Sequence, residues 1–294
     1  MIAYATKIDS DIELPFSLPT DAAIYYKINL SMHLPHKIKT SLRCGMKLYS
    51  SHGREVYLYS DGDLFRNEKT QFWCYEVENI VKFYWSSGSS EIYYELEERQ
   101  NKELFGFWFL HLFLPLYLSF EGMYDFFHAG AVEIGGKPIF FIAPSMGGKS
   151  TMTDYFLQRG HMLISDDKVA TYQKDKQFIA VPSIPYHRPY RGFEELGYYT
   201  NHFSRKNKPI HAIYELKRAE EDAEVSIKEI KGYQKFDILL PNYLYVFSWI
   251  KEERFKYISQ MLQSVSVFRV TVPWDMNRLD EVYDAINIHT NNIK

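Results

Sequence analysis

A short apolar run, Ile139-Phe140-Phe141-Ile142, leads straight into Ala143-Pro144-Ser145-Met146-Gly147-Gly148-Lys149-Ser150, and this succession restricts the chain more than any other feature. Consecutive apolar residues suit a strand buried on both faces, as in a parallel sheet. The residues after it fit the pattern G-x-x-x-x-G-K-[ST], with Ala143 in place of the first glycine. Strand, glycine-rich turn and helix in that order make a cradle for anions. The backbone N–H groups of Met146, Gly147, Gly148 and Lys149 can curl around phosphate oxygens because the glycine pair carries no bulk. Lys149 adds a positive charge, and the helix predicted from Ser150 to Arg159, stopped by Gly160, aims its positive end at the same place. The Ser150 hydroxyl suits a magnesium ion bridging the distal phosphates. The implied ligand is ATP or another nucleoside triphosphate, held by Pro144, Ser145, Met146, Gly147, Gly148, Lys149, Ser150 and Thr151. A Gly-Gly turn can also be a plain tight connection; the strand before it and the helix after it favour the cradle.

A second strand is predicted at Met162 to Ser165, ending in Asp166 and Asp167. Neighbouring residues of a strand face opposite ways, so one carboxylate can serve a metal ion while the other meets an incoming hydroxyl as general base. An ordinary Asp-Asp turn is the alternative. Upstream, Phe126 to Ile134 (FFHAGAVEI) is expected as one strand, joined through Gly135-Gly136 and Lys137 to the strand that feeds the loop. His128 near its start can pair with a carboxylate of the Asp166-Asp167 step, or be a core histidine with its needs met locally.

Together these residues carry a resemblance. His128-x-Gly130, a Gly-Gly hairpin, the phosphate loop, Gly160-His161 and Leu163 to Asp167 (LISDD) resemble the catalytic core of the HPr kinase/phosphorylase family. The chain is most similar to the shorter relatives of that family found with peptide-modification systems, including kinases of the C-terminal serine of lasso-peptide precursors. In those, a hairpin and a Val-Pro-x-x-Pro-x-x-Arg stretch follow, matched here by Val181, Pro182, Pro185 and Arg188. Ile210 to Arg218 resembles a family strand, and Phe268 to Pro273 with Asn277 to Ile286 the closing strand and helix. The likeness runs from about residue 120 to the end. It implies Lys149 on the phosphates, Ser150 and Asp167 on magnesium, Asp166 as the base that deprotonates an acceptor serine, His128 beside that base, and Arg188 at the nucleotide site. Ala143 and Met146 replace family glycines, and the glutamate and glycine-rich signature of the bifunctional enzymes is absent, so neither HPr as acceptor nor reverse phosphorolysis is implied.

With 294 residues, 46% of them hydrophobic and 17% aromatic, the chain can bury a large core. A net charge of −3 with scattered Lys and Arg gives no support to a nucleic-acid partner. Cys44 and Cys74 fit no pairing motif, and the start MIAYATKIDSDIEL lacks a basic segment followed by an apolar one, which points to a reducing cytoplasm. The apolar run Leu104 to Phe120 is shorter than a membrane span and holds His111 and Pro115, so it is expected to be a buried helix, broken at Pro115, with no membrane involvement.

The first hundred residues alternate aromatic or β-branched positions with polar ones, as in Val56 to Tyr59 and Phe72 to Tyr75, with turn signals at Ser60 to Asp63 and at Ser86 to Gly88. They are expected to form a β-rich region, either purely structural or one that holds the acceptor. Val181 to Arg191 (VPSIPYHRPYR) is expected as a shaped loop after a hairpin turning at Lys174-Asp175-Lys176, with Arg188 and Arg191 in reach of a triphosphate, a substrate carboxylate or a structural acid, and His187 structural. The expectation is therefore an α/β P-loop kinase core of the HPr-kinase or phosphoenolpyruvate-carboxykinase type over residues 101–294, preceded by a β-rich region over 1–100. Its acceptor would be a serine on a peptide or small protein. A kinase for a free amino acid, a nucleotide-gated binding module without transfer chemistry and assembly into a homo-oligomer all stay open.

Overall fold

The computed structural model describes residues 1–16, 24–62, 72–97, 102–189, 192, 194–245, 247 and 251–293. Asp63, Arg191 and the division expected between residues 100 and 101 lie outside them. The fold is mixed α/β, and it divides into two compact units. One is Met1–Met123 with Gly192–Leu196 and Phe247–Ile250; the other is Tyr124–Arg191 with Gly197–Val246 and Lys251–Lys294.

The first unit runs β1 (Ile2–Ala3), β2 (Thr6–Ser10), β3 (Tyr26–Ser31), α1 (His36–Ser41), β4 (Cys44–Ser51), β5 (Arg54–Ser60), β6 (Phe72–Val77), β7 (Val81–Ser86), β8 (Glu91–Leu96), α2 (Lys102–Phe107) and α3 (Leu114–Phe120). Its strands form one sheet in the order β1-β2-β3-β8-β7-β6-β5-β4. Side chains two apart share a face, so Val56 with Leu58, Phe83 with Trp85 and Ile92 with Tyr94 are buried. The apolar run after β8 is a buried helix, but it is not broken at Pro115. Proline has no N–H to give, and the turn before it, Trp108–Phe113, widens to π-helical bonding, with the Leu114 N–H donating to the Phe109 carbonyl five residues back. Phe113 stacks on Phe83 with ring centroids 4.2 Å apart and meets Trp85 edge-on at 5.6 Å. That packing extends the unit to Met123. Among the described residues no helix is long and apolar enough to cross a membrane.

The second unit runs β9 (Asp125–His128), β10 (Gly130–Ile134), β11 (Lys137–Ile142), α4 (Lys149–Gln158), β12 (Met162–Ser165), β13 (Lys168–Lys174), β14 (Gln177–Val181), β15 (Tyr186–His187), β16 (Tyr198–Tyr199), β17 (Lys208–Pro209), β18 (Ala212–Ala219), β19 (Ser226–Ile230), α5 (Gln234–Leu239), α6 (Lys251–Ser264), β20 (Ser266–Pro273) and α7 (Leu279–Asn292). A six-stranded sheet has the order β12-β10-β11-β18-β20-β19, a four-stranded one the order β17-β14-β13-β9, and β15 pairs with β16. Strand β11 is parallel to β18 but antiparallel to β10, so the sheet is mixed where a parallel one was expected. Alternation along β11 explains the layers. Ile139 and Phe141 face Met152 and Phe156 of α4 and Val282 and Ile286 of α7, while Phe140 and Ile142 join Ile258 and Met261 of α6 with Val169 and Phe178 of the four-stranded sheet.

The segment Phe126 to Ile134 is two strands instead of one. Strand β9 belongs to the four-stranded sheet and β10 to the six-stranded sheet, with Ala129 between them. The chain makes the same transfer again between β12 and β13, through Asp166 and Asp167. Both crossings fall side by side: His128 pairs with Lys168 on one sheet, and Ala131 with Ser165 on the other.

Candidate active site

The loop after β11 is shaped by two glycines. The Gly147 N–H donates to the Pro144 carbonyl at 2.9 Å, closing a turn so tight that a Cβ at Gly147 would lie 2.7 Å from the Ala143 Cβ and 2.9 Å from the Pro144 oxygen. Gly148 has φ +92° and caps α4, a backbone state that costs a side-chain-bearing residue ~1 kcal/mol or more. Met146, which stands where the resemblance has a glycine, takes φ +61° and is 83% exposed. Helix α4 begins at Lys149, one residue earlier than predicted, and Gly160 lies just past its end at φ +84°.

Lys149 is buried beneath the loop. Its ammonium donates to the carbonyls of Ala143 at 2.8 Å and Pro144 at 3.4 Å. Pro144, Ser145 and Met146 are exposed, while Gly147, Gly148, Ser150 and Thr151 are half-buried at the start of the helix. The helix can approach because Gly130 of β10 has no side chain: a Cβ there would collide with Thr153 Oγ1.

Asp166 and Asp167 lie in the crossing between β12 and β13, not on a strand. The Lys168 N–H donates to the Asp166 carbonyl at 3.0 Å and Ser165 Oγ donates to the Lys168 carbonyl at 2.6 Å, which locks the turn. Asp167 has φ +74°; its Oδ1 is 3.1 Å from His128 Nδ1 and its Oδ2 3.2 Å from Lys168 Nζ. His128 was expected beside Asp166, yet its ring meets Asp167, because strand pairing sets it opposite Lys168, the residue next to Asp167.

Asp166 stands in different surroundings. Its Oδ2 accepts the Arg188 backbone N–H at 2.6 Å, whereas Oδ1 is sealed from solvent and has no hydrogen-bond partner among the described residues. Burial raises its pKa from 3.8 to about 6, opposed by the Arg188 N–H and reinforced by the neighbouring Asp167 carboxylate. Arg188 thus holds an acid through its backbone N–H, one of the partners expected for it.

The proline-rich stretch is more regular than expected. Tyr186 and His187 pair with Tyr199 and Tyr198. Gly197, at φ +94°, lets the two segments meet, since a Cβ there would strike the His187 carbonyl and the Arg188 side chain. His187 Nδ1 lies 3.4 Å from Asp154 Oδ1 on α4 without hydrogen-bond geometry, and burial lowers the imidazole pKa against the pull of that carboxylate. The stretch therefore touches the helix of the phosphate loop with one residue and the buried acid with the next. Sequence reasoning missed Lys168, Asp154 and Gly197. Lys168 follows the acid pair directly and was within reach of a closer look, but the other two matter only through residues distant in sequence.

Strand order brings the loop and the acids together. Strand β12 is antiparallel to β10, which is antiparallel to β11, so β11 and β12 point the same way and end on one edge of the sheet. With one strand between them, their tips are ~10 Å apart across the sheet. The glycine-rich loop over Lys149 and a carboxylate able to accept a proton near neutral pH therefore share that edge.

No family model matches the chain, and no curated protein matches it. Among solved structures the chain is similar to that of the Hpr(Ser) kinase/phosphatase from Coxiella burnetii. The two share 13% identity, with 56% of this chain and 95% of that one covered, at a TM-score of 0.35. A score that low fixes neither fold nor chemistry.

Proposed function

We propose that this chain is a P-loop phosphotransferase that carries the terminal phosphoryl group of ATP, or of another nucleoside triphosphate, to a serine hydroxyl of a peptide or small protein. One observation supports this most. The glycine-rich loop over Lys149 and a buried carboxylate with an unpartnered oxygen, Asp166 Oδ1, leave the same edge of one sheet.

In this reading Pro144 to Thr151 surround the phosphates, and the Lys149 ammonium exchanges the Ala143 and Pro144 carbonyls for phosphate oxygens. Asp166 Oδ1 takes the proton of the serine hydroxyl as the new oxygen–phosphorus bond forms. The bond from phosphorus to the bridging oxygen breaks, and the electron pair leaves with the nucleoside diphosphate. A base so placed contributes ~10²–10⁴-fold to the rate. His128 and Lys168 orient Asp167, and the Arg188 N–H orients Asp166.

Magnesium fits the donor set. Among the described residues no group of three or more His, Cys, Asp or Glu forms a metal cage, and a dication that travels with phosphates needs only one or two protein oxygens. Ser150 and Asp167 would hold it, Asp167 through an oxygen released from His128 or Lys168, whose nitrogens its two oxygens now face. When bound, the ion neutralises charge on the phosphates.

The finer reading of the acceptor, a C-terminal serine like that of lasso-peptide precursors, rests on the sequence resemblance alone. The test is incubation with γ-labelled ATP and Mg2+ in the presence of serine-ending peptides or of free serine, with phosphoserine read by mass spectrometry. Label on peptide serine supports the proposal, and label on free serine alone makes the protein an amino-acid kinase. Slow hydrolysis with no acceptor labelled across a peptide library would leave a nucleotide-gated binding module in its place.

A further inference from the structure

The sheet edge that carries the loop and Asp166 continues on the other flank of β11. Strands β11, β18 and β20 are parallel and end at Ile142, Ala219 and Pro273 on that edge. Strand β20 lies two strands from β11 with β18 between, ~10 Å across the sheet; Ile142 is level with Glu215 and Arg269, so β18 and β20 run four residues, ~13 Å, beyond the tip of β11. Asp166 follows β12 and Trp274 follows β20. The loop leaving β11 therefore has a carboxylate on one flank, near the level of the β11 tip, and an indole on the other flank, farther along the strand direction.

Trp274 is built in, yet it is not part of the interior. It is 44% exposed and belongs to neither core cluster of the unit, although Val272 before it and Leu279 after it both do. The guanidinium of Arg218, from the end of β18, lies over the indole ring. The backbone beneath is stapled: the Trp274 N–H donates to the Ala219 carbonyl at 3.2 Å, and Arg278 Nη1 donates to the carbonyls of Glu221 at 2.7 Å and Ala223 at 2.9 Å. Glu281 holds the other nitrogens of Arg278, and Asp275 accepts the Asn277 N–H at 2.9 Å. A large flat ring is thus fixed in place and left in water at the carboxyl ends of parallel strands, where open α/β sheets bind ligands.

We infer that Trp274, backed by Arg218, is the stacking site for the base of the nucleotide whose phosphates enter the loop, a step that rests on the phosphate-loop reading above. The nucleotide then lies along the edge with its terminal phosphate toward Asp166 and its base toward Trp274. Every base offers a π face and stacking reads no hydrogen-bond pattern, so the site tolerates different bases and favours the larger purines.

The test compares ATP and inorganic tripolyphosphate, each with Mg2+, by calorimetric titration of the full chain. Trp274→Ala is expected to weaken ATP at least tenfold, ~1.4 kcal/mol, and leave tripolyphosphate unchanged, while Trp274→Phe keeps most of the ATP affinity. Unchanged ATP affinity in Trp274→Ala, or equal losses for both ligands, overturns the inference. Lys149→Ala should weaken both ligands; if tripolyphosphate binds that variant as it binds the wild type, the phosphate-loop reading fails and this inference with it. Thermal denaturation of each variant checks folding, and Trp274→Phe supplies the comparison if Trp274→Ala is unstable.

Discussion

The Arg188 backbone N–H donates to Asp166 Oδ2 at 2.6 Å, while the other oxygen of that carboxylate is buried without a hydrogen-bond partner among the described residues. One oxygen is fixed and the other is left without a donor. Burial outweighs this N–H, which by itself lowers the pKa, and leaves the acid pushed up to about 6.

Asp166→Asn should reduce phosphoryl transfer by ~10²–10⁴-fold and leave nucleotide affinity nearly unchanged, because it removes the proton acceptor but not the cradle. In the wild type the rate should rise with pH through about 6, where Asp166 loses its proton. Steady-state kinetics between pH 5 and pH 8, paired with nucleotide titration, read both. A variant that transfers phosphate at the wild-type rate removes Asp166 from the mechanism.

The same substitution should stabilise the fold at neutral pH. A carboxyl whose pKa goes from 3.8 when unfolded to about 6 when folded binds its proton more tightly in the native state. Stability is then greatest below about pH 4, falls as pH rises from there to about 6, and stays reduced above. At ~1.4 kcal/mol per pKa unit the loss is up to ~3 kcal/mol. Asp166→Asn should recover most of it at pH 7.5 and little at pH 3.5, measured by denaturant unfolding at the two pH values. Equal effects at both would mean that burial does not govern this acid.

Gly147→Ala should damage the cradle. The added methyl would sit 2.7 Å from the Ala143 Cβ and 2.9 Å from the Pro144 carbonyl, so the turn must open. A cost of ~1–3 kcal/mol from overpacking is expected, together with weaker nucleotide binding. Retained affinity for ATP in calorimetry would show that the loop does not hold phosphates in this shape.

His187 and Asp154 bring the proline-rich stretch against α4, and the next residue, Arg188, donates its backbone N–H to Asp166. Asp154→Asn or His187→Ala should loosen the Arg188 N–H and lower kcat several-fold while nucleotide Kd stays within about twofold. Faster amide exchange at Arg188 would report the loosening directly. Unchanged exchange and unchanged kcat would show that other contacts fix the stretch.

The glycine-rich loop after β11 was legible because its conformation is set locally. Glycines at 147 and 148, the apolar strand before them and Lys149-Ser150 after them fix turn, helix start and charge within a dozen residues. The acid pair was legible as a pair for the same reason. Other features depend on residues far apart in sequence. The split of Phe126 to Ile134 into two strands follows from which sheet each half joins, the attachment of His128 to Asp167 from its register against β13, and the grip on Asp166 from a main-chain N–H that carries no residue-type signal. The π-helical turn before Pro115 is likewise a matter of packing and bonding, since proline marks the place but not the remedy.

Residue types and their spacing were enough to determine what kinds of group this protein carries: a glycine-rich turn between strand and helix, a cation beneath it and two acids at a strand end. Tertiary structure alone decided which acid is paired and which keeps an open oxygen, and it alone brought Trp274 to the edge that carries the loop. Those outcomes are set by strand order, burial and main-chain hydrogen bonds between residues distant in the chain, and a linear sequence specifies them only once the whole sheet has formed.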